Sequence, residues 1–448
     1  MRITKISVTK LFGIFNHPVS LNMEDRITII HGPNGVGKTA LLRLIDGFFN
    51  SQYSELFSIP FAEFRVDFDD CSHLQITKFF KQTSDNEHHQ ELTVQLLNRD
   101  LEAKIFSPNL SSPDSNDPLK ALEAQLKNLE LTSKKLELMV KQLGIVIGTG
   151  TMPLEDVRKR SDRLRDEDFK IVKQEPNWLS ELKHSFHVSF IESQRLLYLS
   201  DIPQGWVGWE PPSMISSVDT YSKELAKNIQ AKLAEYGALS QSLDRTFPAR
   251  VVNKKNVYNL TEETLSNKLN EIDQKRSRFI ENGLLDIGDN SDFQVPEHID
   301  MTTENILSVY IEDVEKKFSI FNELATKIEL FQKIITQRFL YKTIKIDKEK
   351  GFTFTTLDGK PLSPTDLSSG EQHELVMLYE LLFNVKPNSL ILIDEPELSL
   401  HVAWQVQFLT DLQAIIKLAN FDVLIATHAP GIIEDRWDLT VGLKGQIA

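Results

Sequence analysis

Apolar residues open the chain in strand-length runs. Ile3, Ile6 and Val8, then residues 27–30, 61–68 and 73–79, are rich in β-branched and aromatic side chains, which suit a pleated, half-buried surface. Segment 109–118 (NLSSPDSNDP) breaks this pattern with a polar, proline-containing loop, and the apolar period then changes. Leu119, Leu122, Leu126, Leu129, Ser133, Leu136, Val140 and Leu143 follow the alternating three-four spacing of a coiled-coil seam, with Ser133 its only polar member. A second row runs through Leu307, Tyr310, Val314, Lys317, Phe321, Leu324, Ile328, Phe331 and Ile335, and residues 221–243 also have helical spacing. One seam alone buries too little to stand in water, so antiparallel pairing is expected, as a compact bundle or as a protruding arm.

From Thr343 the strand pattern returns. Ile344 and Ile346 face Phe352 and Phe354 across a turn at 348–351, which predicts a hairpin. A helix over 371–383, an apolar strand over 389–393, a helix over 402–418 and an apolar strand over 423–426 follow. Uninterrupted apolar strands alternating with helices predict a parallel sheet covered on both faces. The expected organisation is an α/β head split between residues 1–110 and 343–448. A helical region, 111–342, interrupts it and itself carries one head strand near 184–200.

Composition narrows this picture only slightly. The 448 residues are 41% hydrophobic and 25% charged, ordinary for a globular protein. Lys plus Arg number 50 against 64 acids, a net charge of −14, so any contact with nucleic acid needs a local basic patch. The lysines 342, 345, 348 and 350 form one such cluster, which also fits a solvated strand face. The single cysteine, Cys71, excludes an internal disulfide and a four-cysteine zinc site. The start of the chain reads as strand rather than signal peptide, and no apolar run reaches the roughly 20 residues of a membrane span, so a cytoplasmic protein without a membrane contact is expected. His88 and His89 fall in a polar stretch and are expected in a solvated loop; Trp206 and Trp209 are expected in packing.

The chemistry begins at HGPNGVGKT. Gly32, Pro33, Asn34, Gly35, Val36, Gly37, Lys38 and Thr39 fit the phosphate-loop pattern, with an apolar strand before them and a helix, starting near Ala40, after. Glycines let backbone N–H groups curl around a phosphate, and the helix N-terminus adds partial positive charge. Lys38 is expected on the β- and γ-phosphates of ATP, and the Thr39 hydroxyl on Mg²⁺. In LILIDEPE, Asp394 and Glu395 end a buried strand; Asp394 is expected to hold Mg²⁺ and Glu395 to polarise the attacking water. Upstream, Leu367, Ser368, Ser369, Gly370 and Glu371 start a helix whose hydroxyl and bare N–H groups suit an anion.

These strings resemble the heads of ABC-type ATPases in the SMC and Rad50 form, with LSSGE in the place of the signature motif. The resemblance covers roughly 1–100, 184–200 and 343–448, with the motifs in the family's order. It implies that Ser368, Ser369, Gly370 and Glu371 meet the γ-phosphate of ATP bound to a second copy, giving a head-to-head dimer. It makes His428, in THAP after the next strand, the switch histidine beside the γ-phosphate. It makes Glu397, Leu398, Ser399, Leu400 and His401 the dimer-contacting loop after the catalytic acid. In FIESQR, Gln194 is implied as the residue sensing Mg²⁺ and the γ-phosphate, with Arg195 an equal candidate.

Within that class, LSSGEQHEL, LILIDEPELSLH and FIESQRLL look like the stand-alone ATPases of prokaryotic anti-phage systems of the PARIS and Septu or retron kinds. This implies a sensor and scaffold that holds or releases a separately encoded nuclease, Toprim-like by overall layout or alternatively HNH, in response to a phage-encoded trigger protein. The short stretch after His428 leaves no expected place for a fused nuclease. A Rad50- or RecF-like DNA-maintenance ATPase is the alternative; nucleic-acid binding stays open, and one cysteine excludes a zinc hook.

Overall fold

The computed structural model describes residues 1–82, 88–98, 101–108, 175–191, 197–199, 214–253, 262–286, 301–398 and 400–444. Its centre is a parallel sheet of β3 (Ile27–His31), β8 (Val188–Ile191), β14 (Leu390–Asp394), β15 (Asp422–Thr427) and β16 (Thr440–Gly442), in the order β16-β3-β15-β14-β8. Every neighbouring pair is parallel, and the registers Asp394↔Ala426 and Thr427↔His31 bring the carboxyl ends of β14, β15 and β3 into line. Ligands of open α/β sheets bind outside such ends. Between their ends the three central strands are apolar but for buried Thr28, because both faces are covered. Ile30, Leu392 and Leu424 enter one core, while Ile29, Ile393 and Ile425 enter the other.

The first core lies under α1 (Lys38–Phe49) and an antiparallel sheet of β1 (Ile3–Leu11), β2 (Phe15–Ser20), β4 (Glu63–Phe68), β5 (His73–Gln82), β6 (His88–Asn98) and β7 (Leu101–Phe106), ordered β2-β1-β4-β5-β6-β7. The short helices α2 (Tyr53–Ser58) and α3 (Asn177–Ser185) close its edge. Lys78 on β5 donates to the carbonyls of Leu56, Phe57 and Ile59 at 3.2, 2.6 and 3.1 Å, satisfying groups left open at the end of α2. Burial pushes this ammonium down to about 8.

The second core holds the helical region. After the pair β9 (Leu197–Leu199) and β10 (Met214–Ser216) come α4 (Ser217–Asn253), α5 (Glu262–Glu281) and α6 (Met301–Arg338). Helices α4 and α6 are antiparallel. Tyr236 meets Phe321, Asp244 meets Lys317 and Arg250 meets Asp313, so rising numbers on one helix pair with falling numbers on the other. The predicted second seam is largely the buried stripe of α6, but Tyr310 is exposed and Lys317 turns its ammonium to Asp244. Ile311, Phe318 and Ala325 are buried as well, a wider stripe than one seam needs, because α5 packs on α6 through Phe279 against Phe318 and Phe321.

The chain returns through β11 (Lys342–Asp347), β12 (Gly351–Thr356) and β13 (Pro361–Leu362), where Ile344↔Phe354 and Ile346↔Phe352 form the predicted hairpin. Helix α7 (Ser369–Tyr379) then continues into a wide turn over Glu380–Asn384, and Tyr379 stacks on Tyr221 of α4 at 4.7 Å. After β14 come α8 (Val402–Gln405) and α9 (Phe408–Ala419), and after β15 the short α10 (Pro430–Ile433). Arg338 at the end of α6 is buried between Glu374 on α7 and Asp411 on α9, so the foot of the helical region is tied to both by charge. Removing one partner of such a buried group strands the others.

Some expectations are corrected. His88 and His89 begin strand β6 rather than lie in a loop, because β5 and β6 pair out to Gln82↔His88. The helix expected over 402–418 is two helices: Gln407 N–H reaches back only to Trp404 O, tightening the turn before α9 restarts. Helix α5 was not predicted, although Leu265, Leu269, Ile272 and Phe279 bury one of its faces. The lysine cluster is partly engaged, with Lys342 on Glu371 and Lys348 on Asp286. Cys71 is exposed. The seam from Leu119 to Leu143, Gln194, Arg195, Ser399, Trp206 and Trp209 lie outside the described residues. Among the described residues no helix is long and apolar enough to cross a membrane.

Candidate active site at the carboxyl edge of the parallel sheet

β3 delivers the chain into the glycine loop at His31. Gly37 caps α1 at φ 97°, a left-handed conformation, and a Cβ there would stand 2.5 Å from Leu11 Cδ2, so only glycine fits. Having no side chain, Gly37 leaves the first-turn N–H groups of α1 without a side-chain cap, the arrangement that receives an anion. Buried His17 supports the loop by donating from Nε2 to Val36 O at 2.7 Å. Lys38 is only 6% exposed, and its Nζ donates to Gly32 O at 2.9 Å and Pro33 O at 3.2 Å. The ammonium is thus held within the curve of the loop it belongs to.

Residue Thr39, on the first turn of α1, reaches the end of β14. Its Oγ1 donates to Asp394 at 2.9 Å from Oδ2 and 3.1 Å from Oδ1. A hydroxyl beside a carboxylate is the hard-oxygen pair that Mg²⁺ takes with phosphate oxygens and water, so the donor set fits the expected ion. Among the described residues no group of three or more His, Cys, Asp or Glu gathers as a self-sufficient metal site.

Immediately after Asp394 the backbone turns hard. Glu395 has φ 44°, its N–H donates to Ala426 O at 2.8 Å, and Pro396 follows. A non-glycine residue in this region is uncommon, and the proline disfavours the ordinary helical alternative. The turn lets two adjacent acids serve different tasks: Asp394 faces Thr39, while Glu395 Oε1 lies 3.5 Å from His428 Nδ1. His428, 42% exposed, comes from the end of β15, so acid and imidazole are brought together by neighbouring strands. Glu397 is also there, 6% exposed, with Oε1 3.2 Å from the same Nδ1.

The serine-bearing segment lies on the other side of the sheet. Val36 and Leu41 belong to the first core, Leu367 and Leu375 to the second, and no hydrogen bond or ion pair among the described residues joins the two loops. Ser368 is the N-cap of α7 in a capping box: its hydroxyl donates to Glu371 Oε2 at 2.7 Å, and its N–H donates to the same oxygen at 2.8 Å. Lys342 Nζ holds Glu371 Oε1 at 2.5 Å, and together with the Ser368 contacts this keeps the carboxyl of Glu371 below its usual range although burial alone raises it. Ser369 is exposed, and its hydroxyl makes no hydrogen bond among the described residues; Gly370 follows it into the helix.

The structure therefore brings Lys38, Thr39, Asp394, Glu395 and His428 to one sheet edge and separates Ser368 through Glu371 from them. Sequence reasoning missed His17, Lys342, Thr427 and the inward course of Glu397. Only the acid in DEPE was visible as a signal, because propensity does not say which way a loop carboxylate turns.

A parallel sheet, a glycine loop opening a helix and an acidic pair at the next-but-one strand end define a P-loop ATPase head with a helical insertion. The chain belongs to the AAA ATPase domain family, whose model matches residues 1–433. Among curated proteins none matches it. Of solved structures, the SMC head domain from Thermotoga maritima is similar at 12% identity, covering 99% of this chain and 94% of that chain with a TM-score of 0.33. The Smc head domain from Pyrococcus furiosus, with an extended coiled coil and bound to the C-terminal domain of ScpA, gives the same values. The Smc head with coiled coil and joint from Pyrococcus yayanosii follows at 11% identity, 98% and 94% coverage and a TM-score of 0.31. The fold of this chain rests on its own sheet order and glycine loop.

Proposed function

We propose that the chain binds ATP with Mg²⁺ and hydrolyses it to ADP and phosphate in a site completed by a second copy, as the ATP-driven sensor and scaffold of an anti-phage complex. The observation that carries the hydrolytic reading is the contact of Thr39 with both oxygens of Asp394, beside a Glu395–His428 pair at 3.5 Å. Gly32 through Ala40 form the phosphate cradle, with Lys38 as its charge. Thr39 and Asp394 would hold Mg²⁺, which supplies positive charge against the phosphate oxygens; Gln194 is proposed to join them. Glu395 accepts a proton from water as the water oxygen bonds to the γ-phosphorus. The bond from that phosphorus to the bridging oxygen breaks, its electron pair leaving with ADP. His428 orients the water. Ser369, whose hydroxyl is uncommitted, together with Gly370 and the α7 N-terminus, closes over the γ-phosphate of the partner copy. Ser368 and Glu371 set that helix start.

The segments 1–110, 111–342 and 343–448 are proposed as head lobe, helical insertion and head lobe. Arg338, which ties α6 to α7, supports movement of the insertion when Ser369 engages. The defence role is supported by LSSGEQHEL, LILIDEPELSLH and FIESQRLL. By that reading the effector is a separately encoded nuclease, Toprim-like or HNH. The chain is expected to copurify with the nuclease encoded beside it, as tagged pull-down with and without ATP would show. A chain that retains no nuclease, but whose turnover rises on adding DNA, contradicts the defence role and favours the DNA-maintenance reading.

A further inference from the structure

The loop after the acidic pair was expected to face a partner copy. Leu398 and Val402 do face outward, at 64% and 72% exposure. Glu397, just before them, does the opposite. Its side chain is buried, and three contacts converge on Oε1: Thr427 Oγ1 donates at 2.7 Å, the His428 backbone N–H donates at 3.0 Å, and His428 Nδ1 lies at 3.2 Å. Thr427 Oγ1 in turn accepts from the Ala429 N–H at 3.0 Å. Gln405 fixes the backbone of the same segment, donating to Glu397 O and Leu400 O at 3.3 Å each. The carboxylate thus bonds the His428 main chain and the Thr427 side chain and lies beside the His428 ring.

We propose that Glu397 is the positioning residue for His428, fixing both the tautomer and the direction of the imidazole; this rests on the hydrolytic site proposed above. A carboxylate only accepts, so the ring nitrogen facing it carries the proton. Glu397 Oε1, 3.2 Å from Nδ1, favours the tautomer protonated at Nδ1 and so leaves Nε2 as the acceptor. The bonds from His428 N and Thr427 Oγ1 fix the carboxylate oxygen itself, so it stays in place beside Nδ1. Burying a carboxylate for stability alone is a poor solution. Oε2 is buried with no hydrogen-bond partner among the described residues, and an apolar side chain of similar size would avoid that cost. What an apolar side chain lacks is an acceptor for the Thr427 hydroxyl, the His428 N–H and the imidazole together.

The test uses full-length chain with Glu397→Ala, Glu397→Gln, His428→Ala, Glu395→Gln and the double change Glu397→Ala with His428→Ala, measured by phosphate release over a range of ATP concentrations. Glu397→Ala is expected to lower kcat about 10–100-fold, as loss of supporting partners commonly does, with KM for ATP unchanged. Glu397→Gln keeps an oxygen acceptor and is expected to recover most of the loss. Because Glu397 acts through His428, the double variant should be no slower than His428→Ala alone. Full kcat in Glu397→Ala, or losses that multiply in the double variant, overturns the positioning role. If Glu397→Ala fails to fold, Glu397→Asp decides, because its shorter side chain draws the oxygen away from the ring: a lowered kcat that adds nothing to His428→Ala supports the proposal, and full kcat or multiplicative loss overturns it. Glu395→Gln separates the two levels. Should it retain turnover, the hydrolytic site itself is wrong; should it be inactive while Glu397→Ala is unimpaired, only the positioning role falls.

Discussion

Glu395→Gln is expected to lower ATP turnover by about 10²–10⁴-fold while ATP binding survives, the range for loss of a positioned general base. The substitution keeps the size of the side chain and leaves the backbone contact from residue 395 to Ala426 O available, so the turn at φ 44° is preserved. It removes the negative charge proposed to accept the proton of water. Asp394, Thr39 and Lys38 remain in place to hold the nucleotide. Binding without cleavage should also stabilise the closed dimer, so the same variant mixed with ATP is expected to elute as a larger species than the apo chain. Phosphate release at the unaltered rate would remove Glu395 from the catalytic role.

Lys38→Ala should weaken ATP binding by about 100-fold or more, read by calorimetry at constant Mg²⁺. A hydrogen bond to a charged group contributes about 1.5–3 kcal/mol, and each 1.4 kcal/mol is tenfold in affinity, so loss of one ammonium that serves two phosphates reaches that size. The change costs the fold little. Nζ contacts only Gly32 O and Pro33 O, which belong to an exposed-edge loop where water can replace it. Undiminished ATP affinity in the folded variant would show that the glycine loop does not carry the triphosphate.

Much of the head was legible in the sequence because its strands are buried on both faces. Residues 390–393 and 423–426 have no polar interruption, and a run of that kind has few places to go except the middle of a covered parallel sheet. The same physics made the phosphate loop readable: a glycine is required at residue 37 by its left-handed backbone and by Leu11, and such requirements survive in the sequence as motifs. Long-range pairing was less legible. The order β16-β3-β15-β14-β8 places Val188–Ile191 beside β14, far from it in sequence, and no local pattern encodes that partner. Helix α5 escaped notice because its apolar positions are few and its mean character is polar, so it is held by α6 rather than by propensity. Between the two serines, the reading of the motif favours Ser369 but carries no local physical reason for it. The capping box commits the Ser368 hydroxyl to Glu371 and leaves that of Ser369 available, a distinction that depends on a carboxylate three residues on.

The claim on which the account turns is that a complete site needs two copies, since the phosphate loop and the serine-bearing helix start pack into cores on opposite faces of one sheet. The direct measurement is phosphate release from a Lys38→Ala chain, a Ser369→Arg chain and their equimolar mixture. Each alone is expected to be inactive, one for lack of bound nucleotide and the other for lack of closure. In the mixture, one pairing joins the intact glycine loop of the second chain to the intact Ser369 of the first, and turnover should reappear. A mixture no more active than its parts, or a Ser369→Arg chain that hydrolyses ATP unaided, would contradict the shared site.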